Sequence, residues 1–565
     1  MQLEFIGADH EVTGSCHYIK VGNKNILIDC GMKQGREIYK SVEIPVSAAN
    51  IDYVFLTHAH IDHSGLLPKL YADGYRGPII CTPATRELCE ILLLDCAHIQ
   101  AQEAQYRSKQ SRQTGQDQQP ESAAATPIYT MEQAQSVMRL FKTYPYDKVI
   151  KLCDEVSFRL TDIGHLLGSA SIELWLLENG EERKIVFSGD IGNKNQPLLR
   201  DPKKTEEADY VVMESTYGDR LHEKVHGSYV EQLADVIAST LDRGGNLVIP
   251  AFAVGRTQVL LYFIRQIKEN NLIPENPAFP VYVDSPMAVR AISVFEDSEG
   301  YCYDEEAMEI LKEGRNPISF PNLHLSITTE ESIAINNDAA PKVIISASGM
   351  CDAGRIRHHL KHNLSNPKNT VLFVGYQAEG TLGRRLEEGV DKIRIFGEDI
   401  AVRAEIRTMD GMSGHADRDG LVEWIKGFTN PPKLTFIVHG EDTVTTGFAE
   451  LLKNQYGIEA MAPFSGTRYD LLGGRFIAIA KGVPVEKGRA ERARSVSDSY
   501  TKLRIAAARL DKVLDEARGL PNKELDRFTK ELNDLCRKYQ IPQDKNLREA
   551  QTAACHCGRI KMGVE

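Results

Sequence analysis

The segment Thr57-His58-Ala59-His60-Ile61-Asp62-His63 constrains the fold of this chain more than any other. It places four metal-ligand side chains within six residues, directly after the apolar run Val54-Phe55-Leu56. A short apolar run of this kind reads as a buried strand, and the loop that leaves it holds the ligands at a strand end. Imidazole and carboxylate without thiolate suit a borderline Lewis acid such as zinc. The alternate residues His58 and His60 can converge on one ion while Asp62 and His63 turn toward a second. Such a site still needs a distal His and a bridging carboxylate. Candidates are His165 in Asp162-Ile-Gly-His165-Leu-Leu-Gly-Ser169, where glycines let backbone approach closely, and Asp190 in Phe187-Ser-Gly-Asp190-Ile-Gly192, again after an apolar strand.

The 565 residues carry 42% apolar and 26% charged side chains, as a globular protein with a real core does. No apolar stretch approaches the length of a membrane span, and the start, Met1-Gln-Leu-Glu-Phe-Ile-Gly, lacks the basic-then-apolar pattern of a signal peptide. No membrane association is expected. The eleven cysteines form no CxxC pair and read as reduced thiols of a cytoplasmic protein. A net charge of −12 argues against coating nucleic acid by bulk charge. It leaves room for a nuclease, because bound metal or a local cationic groove supplies positive field where it is needed.

Short strands are expected at Leu3–Ile6, Asn25–Ile28, Tyr53–Leu56, Ile172–Leu177 and Ile185–Phe187, with a helix near Arg86–Cys96. Gln100 to about Ala125 has almost no large apolar residue and reads as a mobile surface insertion. From Tyr210 onward strands alternate with helices, which implies a parallel sheet covered on both faces. Val230, Leu233, Ile237 and Leu241 recur at helical spacing before Gly244-Gly245, and Thr435–Val438 returns to a strand followed by a His. Beyond Val485, stripes at Leu503, Ala507, Leu510 and Leu514 and at Leu525, Phe528, Leu532 and Leu535 flank Gly519-Leu-Pro521, as in a helical hairpin. Residues 485–565 hold 18 Lys and Arg against 13 Asp and Glu, so this tail is net basic.

These motifs resemble the metallo-β-lactamase fold and, within it, the β-CASP nucleases. The lactamase-type positions are Asp29 in Ile28-Asp29-Cys30-Gly31, then His58, His60, Asp62, His63, His165 and Asp190. The β-CASP positions are Glu214 in Met213-Glu214-Ser-Thr-Tyr-Gly-Asp219-Arg220, His415 in Gly411-Met-Ser-Gly-His415-Ala-Asp417, and His439 in Val438-His439-Gly-Glu441. The stretches Pro250–Arg256, Asp284–Met287 and Ser346–Met350 look like the same family. The nearest likeness is to bacterial and archaeal relatives of the nuclease subunit of the mRNA 3′-end cleavage factor.

The resemblance implies an α/β chain: an αββα sandwich with an inserted β-CASP domain, a parallel sheet flanked by helices, and a C-terminal helical hairpin. The implied domains are 1–209 for the first part of the lactamase domain, 210–414 for the β-CASP domain, 415–484 for the return segment and 485–565 for the basic extension. It implies two Zn²⁺ per chain, one on His58, His60 and His165 and one on Asp62, His63 and His439, with Asp190 bridging. The implied activity is a zinc-dependent ribonuclease that hydrolyses phosphodiesters by a two-metal hydroxide mechanism, endonucleolytic and with scope for 5′-exonuclease action. His415 would be general acid, oriented by Glu214, and Asp29 would orient a ligand His. His439 favours RNA over DNA within this family, so single-stranded RNA is the expected partner. Tyr217, Arg220, Arg256, Ser348, Arg355 and Arg384 are candidate RNA contacts. The 430–480 segment and the basic tail offer contacts for a homodimer, and no nucleotide cofactor is expected. A small-molecule ester or thioester hydrolase shares Asp29 through Asp190 but gives no reason for an insert ending in His415. A non-catalytic RNA-processing scaffold would have lost ligands that this chain retains.

Overall fold

A computed structural model of the chain describes residues 1–35, 37–114, 126–222, 228–298, 302–378, 380–409, 411–485, 510 and 521–538. Residues 1–485 form one compact unit and 486–565 a second.

Two sheets make the first half of the architecture. One runs, from edge to edge, through Arg475–Ala478, Arg468–Asp470, Gln2–Gly7, Cys16–Val21, Lys24–Ile28, Tyr53–Phe55, Ile79–Cys81 and Phe141–Thr143. The other runs through Ala460–Met461, Leu434–Val438, Tyr210–Glu214, Glu181–Phe187, Ala170–Glu178, Val156–Asp162 and Ile150–Lys151. Aromatic pairs close the space between them: Phe55 on Phe158 at 5.1 Å and Phe5 on Phe436 at 5.0 Å between ring centroids. Helices cover the outer faces. Leu67, Leu88 and Val137 come from the helices Leu67–Ala72, Pro83–Thr114 and Met131–Val137 on one side. Trp424, Phe448 and Leu452, from Arg418–Ile425 and Asp442–Tyr456, cover Val186, Val211 and Ile437 on the other. This is the αββα sandwich the motifs imply.

The third sheet is parallel throughout, in the order Leu323–Ser326, Val281–Asp284, Val343–Ser346, Leu247–Pro250, Thr370–Phe373 and Glu405–Thr408. Its central strands Val343–Ser346 and Leu247–Pro250 are buried at every position, as a sheet covered on both faces requires. The helix Tyr229–Asp242 starts at a capping box of Ser228 and Glu231, buries Leu233, Val236, Ile237 and Leu241, and gives way to Gly244 at φ 71°.

Two expectations change. Tyr210–Glu214 does not open the inserted domain. It pairs in parallel with Glu181–Phe187 and with Leu434–Val438, so the passage into the inserted sheet falls after Glu214. A buried apolar run reads the same in either sheet, which is why sequence alone misplaces it. The helix that begins at Pro83 continues to Thr114, through the first half of the expected insertion. Its Gln, Ala, Glu and Arg are poor core residues but good helix formers; residues 115–125 lie outside the described residues. Of the C-terminal hairpin, the second arm is the helix Asn522–Lys538, and the first lies outside the described residues apart from 510. No helix among the described residues is long and apolar enough to cross a membrane.

Candidate metal centre and active site

The candidate site residues sit at one edge of the sandwich because each follows a strand or lies at its C-terminal end. Asp29 follows Lys24–Ile28, His58 to His63 follow Tyr53–Phe55, and Asp190 follows Glu181–Phe187. Glu214 ends Tyr210–Glu214, and His439 follows Leu434–Val438. Two of them need unusual backbone: Asp29 and His439 hold φ of 60° and 50°, a left-handed conformation that stores strain and turns their side chains into the cleft.

The donor atoms fall into two sets. His58, His60, His165 and Asp190 bring one ligand atom each within 4.8 Å of one another, as do Asp62, His63 and His439. In the first set His58 Nε2 lies 3.1 Å from His60 Nδ1, and His165 Nε2 lies 3.3 Å from the same atom. Asp190 Oδ2 is 3.4 Å from His58 Nε2 and 3.5 Å from His165 Nε2. In the second, His63 Nε2 lies 3.2 Å from His439 Nε2, which is 3.5 Å from Asp62 Oδ2. A tetrahedral ion with bonds near 2.0–2.1 Å separates its ligand atoms by about 3.3 Å. Ring nitrogens this close, with lone pairs facing, are a cation cage rather than a hydrogen-bond network. Asp190 Oδ1 is buried and makes no hydrogen bond, although His63 Nε2 is 3.3 Å away and His439 Nδ1 3.6 Å away. The residues fit a metal.

The atoms behind the ligands explain which nitrogen faces inward. His58 Nδ1 donates to Thr57 Oγ1 at 3.1 Å, His63 Nδ1 to Asp29 at 2.7 Å, His165 Nδ1 to the Gly414 carbonyl at 3.3 Å and His439 Nδ1 to Thr216 Oγ1 at 3.2 Å. Each therefore leaves Nε2 for the ion, whereas His60 offers Nδ1. Asp29 also accepts from the Thr57 amide at 2.8 Å and from Ser15 Oγ at 3.1 Å, and so fixes His63 rather than holding an ion. Thr57, Ser15, Thr216 and Gly414 carry no sequence signal of this role.

Electrostatics separate the two sets. Burial pushes the His58, His60 and His165 imidazoles down, His60 to about 3, so all three are neutral and ready to ligate. Burial also opposes charge on Asp190 and Asp62, but the surrounding imidazoles overcome it and hold both carboxyls well below their usual range. His63 is raised despite its burial, because Asp190 and Asp29 face it from two sides.

His415 stands beside the first set. Its Nδ1 lies 3.2 Å from Glu214 Oε1, and its Nε2 points toward Asp190 Oδ2 at 3.9 Å. Burial lowers its pKa, but the Glu214 charge and hydrogen bond outweigh that and push it up to about 9. Glu214 is itself held by the Ile191 amide at 2.5 Å. His222, which sequence reasoning missed, donates from Nε2 to the His415 carbonyl at 2.8 Å.

The candidate RNA contacts divide. Tyr217 sets its ring edge-on to His415 at 6.0 Å, with the Arg220 guanidinium 5.4 Å from the Tyr217 ring centre. Arg220 also pairs with Asp219 at 2.8 Å. Arg256 lines a cavity of about 1420 Å³ together with His222, Ser413 and Asp417, and no carboxylate pairs with it among the described residues. Arg355 is instead taken up by buried Asp284 at 2.6 Å and by the Ile327 carbonyl, and Arg384 by Glu388 at 3.0 Å. Ser348 Oγ turns to the Ala353 carbonyl at 3.4 Å.

Paired His and Asp donor sets at the strand ends of an αββα sandwich define a metal-dependent hydrolase. Residues 11–83 match the family model of the metallo-beta-lactamase superfamily, 257–386 that of the Beta-Casp domain, and 399–463 that of the Zn-dependent metallo-hydrolase RNA specificity domain. The chain is 36% identical over 453 residues to Ribonuclease TTHA0252 of Thermus thermophilus, covering 80% of this chain and 96% of that one. It is 32% identical over 478 residues to Transcription termination factor FttA of Methanothermobacter thermautotrophicus, covering 82% and 71%. With an RNase J-like protein of Methanocaldococcus jannaschii it shares 30% over 468 residues, covering 82% and 98%. The chain belongs to the β-CASP ribonuclease family of the metallo-β-lactamase superfamily.

Proposed function

We propose that this protein is a zinc-dependent ribonuclease that cuts within single-stranded RNA, in the cytoplasm. The observation that carries this reading is the His415–Glu214 pair, 3.2 Å apart and set against the metal cage, which hydrolysis of a small ester or thioester does not need. His58, His60 and His165 would hold one Zn²⁺, and Asp62, His63 and His439 a second, with Asp190 between them. Bound there, the ions would supply Lewis acidity and a water acidified enough to attack phosphorus near neutral pH.

The remaining work falls to side chains. Glu214 accepts the Nδ1–H of His415 and favours its charged form, so Nε2 carries a proton toward the cleft. That proton goes to the leaving 3′-oxygen. Arg256, without a carboxylate partner, and Tyr217 would receive a phosphate and a base of the bound strand. The free cysteines among the described residues agree with a reducing compartment.

The test uses zinc-loaded protein, a 5′-labelled single-stranded RNA, the same sequence as DNA, and His415→Ala. Internal RNA fragments are expected, with cleavage reduced by about 10²–10⁴ in the variant while its zinc content stays unchanged. Immediate release of mononucleotide would replace internal cutting with 5′-exonuclease action. No cleavage of either polymer by metal-replete protein would overturn the reading.

A further inference from the structure

We propose that Phe252 and Tyr376 form a stacking platform for unpaired bases of the RNA substrate. The inference rests on the ribonuclease reading and adds to it the part of the protein that recognises single strands.

Phe252 is 49% and Tyr376 60% exposed, so both rings have a face open to a ligand. They leave neighbouring strand ends. Leu247–Pro250 is the strand of the inserted sheet that pairs with Val343–Ser346 on one side and with Thr370–Phe373 on the other. Phe252 follows the first of these three strands by two residues and Tyr376 follows the last by three, so both emerge at the C-terminal edge. Crevices at that edge are where open parallel sheets take ligands.

The edge is built to hold the rings in place. Gln377 Nε2 donates to the Gly349 and Gly375 carbonyls, each at 3.0 Å, tying together the turns on either side of Phe252. A Cβ at Gly349 would lie 3.2 Å from the Phe252 ring, so the bare backbone there is what lets the ring lie against it. Tyr376 makes no hydrogen bond through its hydroxyl among the described residues, and its ring is largely exposed.

The loop that carries Phe252 reaches the segment of a candidate ligand. It runs on to Gly255, whose Cβ would lie 3.4 Å from Leu166 Cδ1, and Leu166 follows that ligand, His165. Aromatic faces accept any unpaired base and are closed to bases already stacked in a duplex. The rings would thus select single strands without selecting sequence.

The test compares Phe252→Leu and Tyr376→Leu, which keep apolar bulk and remove the aromatic face, with Phe252→Tyr and Tyr376→Phe, which keep it. Binding is read on zinc-loaded protein in the His415→Ala background, with RNA oligonucleotides carrying 2-aminopurine at successive positions. Turnover is read in the background with His415 intact. Quenching is expected at one or two positions, lost in the Leu variants and kept in the Tyr and Phe variants. KM should rise about tenfold per ring removed, with kcat within about twofold. Melting curves confirm that each variant is folded. Wild-type quenching and wild-type KM in both Leu variants would overturn the platform. Quenching by a protein that cuts no RNA would remove the ribonuclease reading and leave the platform standing.

Discussion

Individual side chains set the pH behaviour. The proposed acid, His415, can serve only while protonated, so the rate is expected to fall as pH rises through its pKa, which Glu214 lifts to about 9 against the effect of burial. Bound cations lower that figure, but they do so equally in wild type and in Glu214→Gln. Loss of the carboxylate charge is therefore expected to move the basic limb of the kcat profile toward lower pH, by about one unit or more. A limb that stays in place in Glu214→Gln would remove Glu214 from this role. His17 gives the matching prediction for stability. It lies between Phe5 and Phe187, and burial lowers its imidazole to about 4, although Asp29 pulls the other way. The unfolded chain takes up this proton near pH 6.5 and the folded chain only near 4, so stability is lost as pH falls through that window. In chelated protein, urea midpoints should show wild type losing on the order of 3 kcal/mol more than His17→Gln between pH 7 and 4.

Among the chain's elements, the short run Ile191–Asn193 joins the metal cage to the proposed acid. Ala416 donates to the Ile191 carbonyl at 2.8 Å, and Asn193 to that of Gly414 at 3.0 Å. On the other side, a Cβ at Gly192 would fall 2.3 Å from the Gly164 carbonyl and 2.7 Å from the His165 amide. All of these are backbone atoms and none can step aside. Gly192→Ala should therefore displace His165 and weaken the first metal site about tenfold or more, with a stability loss of roughly 1–3 kcal/mol. Chelator competition and thermal melts read the two effects. Native metal affinity in that variant would show that the contact is softer than it looks. How much of the centre could be read from sequence follows from the same geometry. His58 to His63 are contiguous, and Asp29, Asp190, Glu214 and His439 each follow or end an apolar strand, so their placement is local and readable. The hydroxyls of Thr57 and Thr216 and the Gly414 carbonyl are not, because Ser, Thr and backbone acceptors occur everywhere and acquire their role only when distant segments meet. In sequence Arg355 reads as free for phosphate because its partner, Asp284, is far away in the chain. Apolar patterning places Tyr210–Glu214 in the inserted sheet, although it pairs with Glu181–Phe187 and Leu434–Val438, because such patterning reports burial without naming the neighbour.

Across the whole molecule, the centre is a closure. Its candidate ligands come from residues 58–63, from 165 and 190 and from 439, so strands from both sheets converge on it and the chain crosses the entire inserted domain before reaching His439. Metal bound to the native state and not to the unfolded chain stabilises by mass action, about 4 kcal/mol at a thousandfold excess over Kd. Chelation should thus lower the melting temperature, and zinc should restore it. Among the described residues, no candidate ligand, proposed acid or stacking ring lies beyond His439, and residues 1–485 hold together as a unit of their own. The extension over 485–565 carries 18 Lys and Arg against 13 Asp and Glu, a surplus suited to phosphate. A chain ending at Val485 is therefore expected to fold, to bind the same zinc and to keep its kcat. Any loss should appear in KM and in a shallower dependence of KM on salt, because the contacts removed are to phosphate. Zinc content, kcat and KM at two ionic strengths decide the matter. A drop in zinc or in kcat would mean that the extension completes the active site after all.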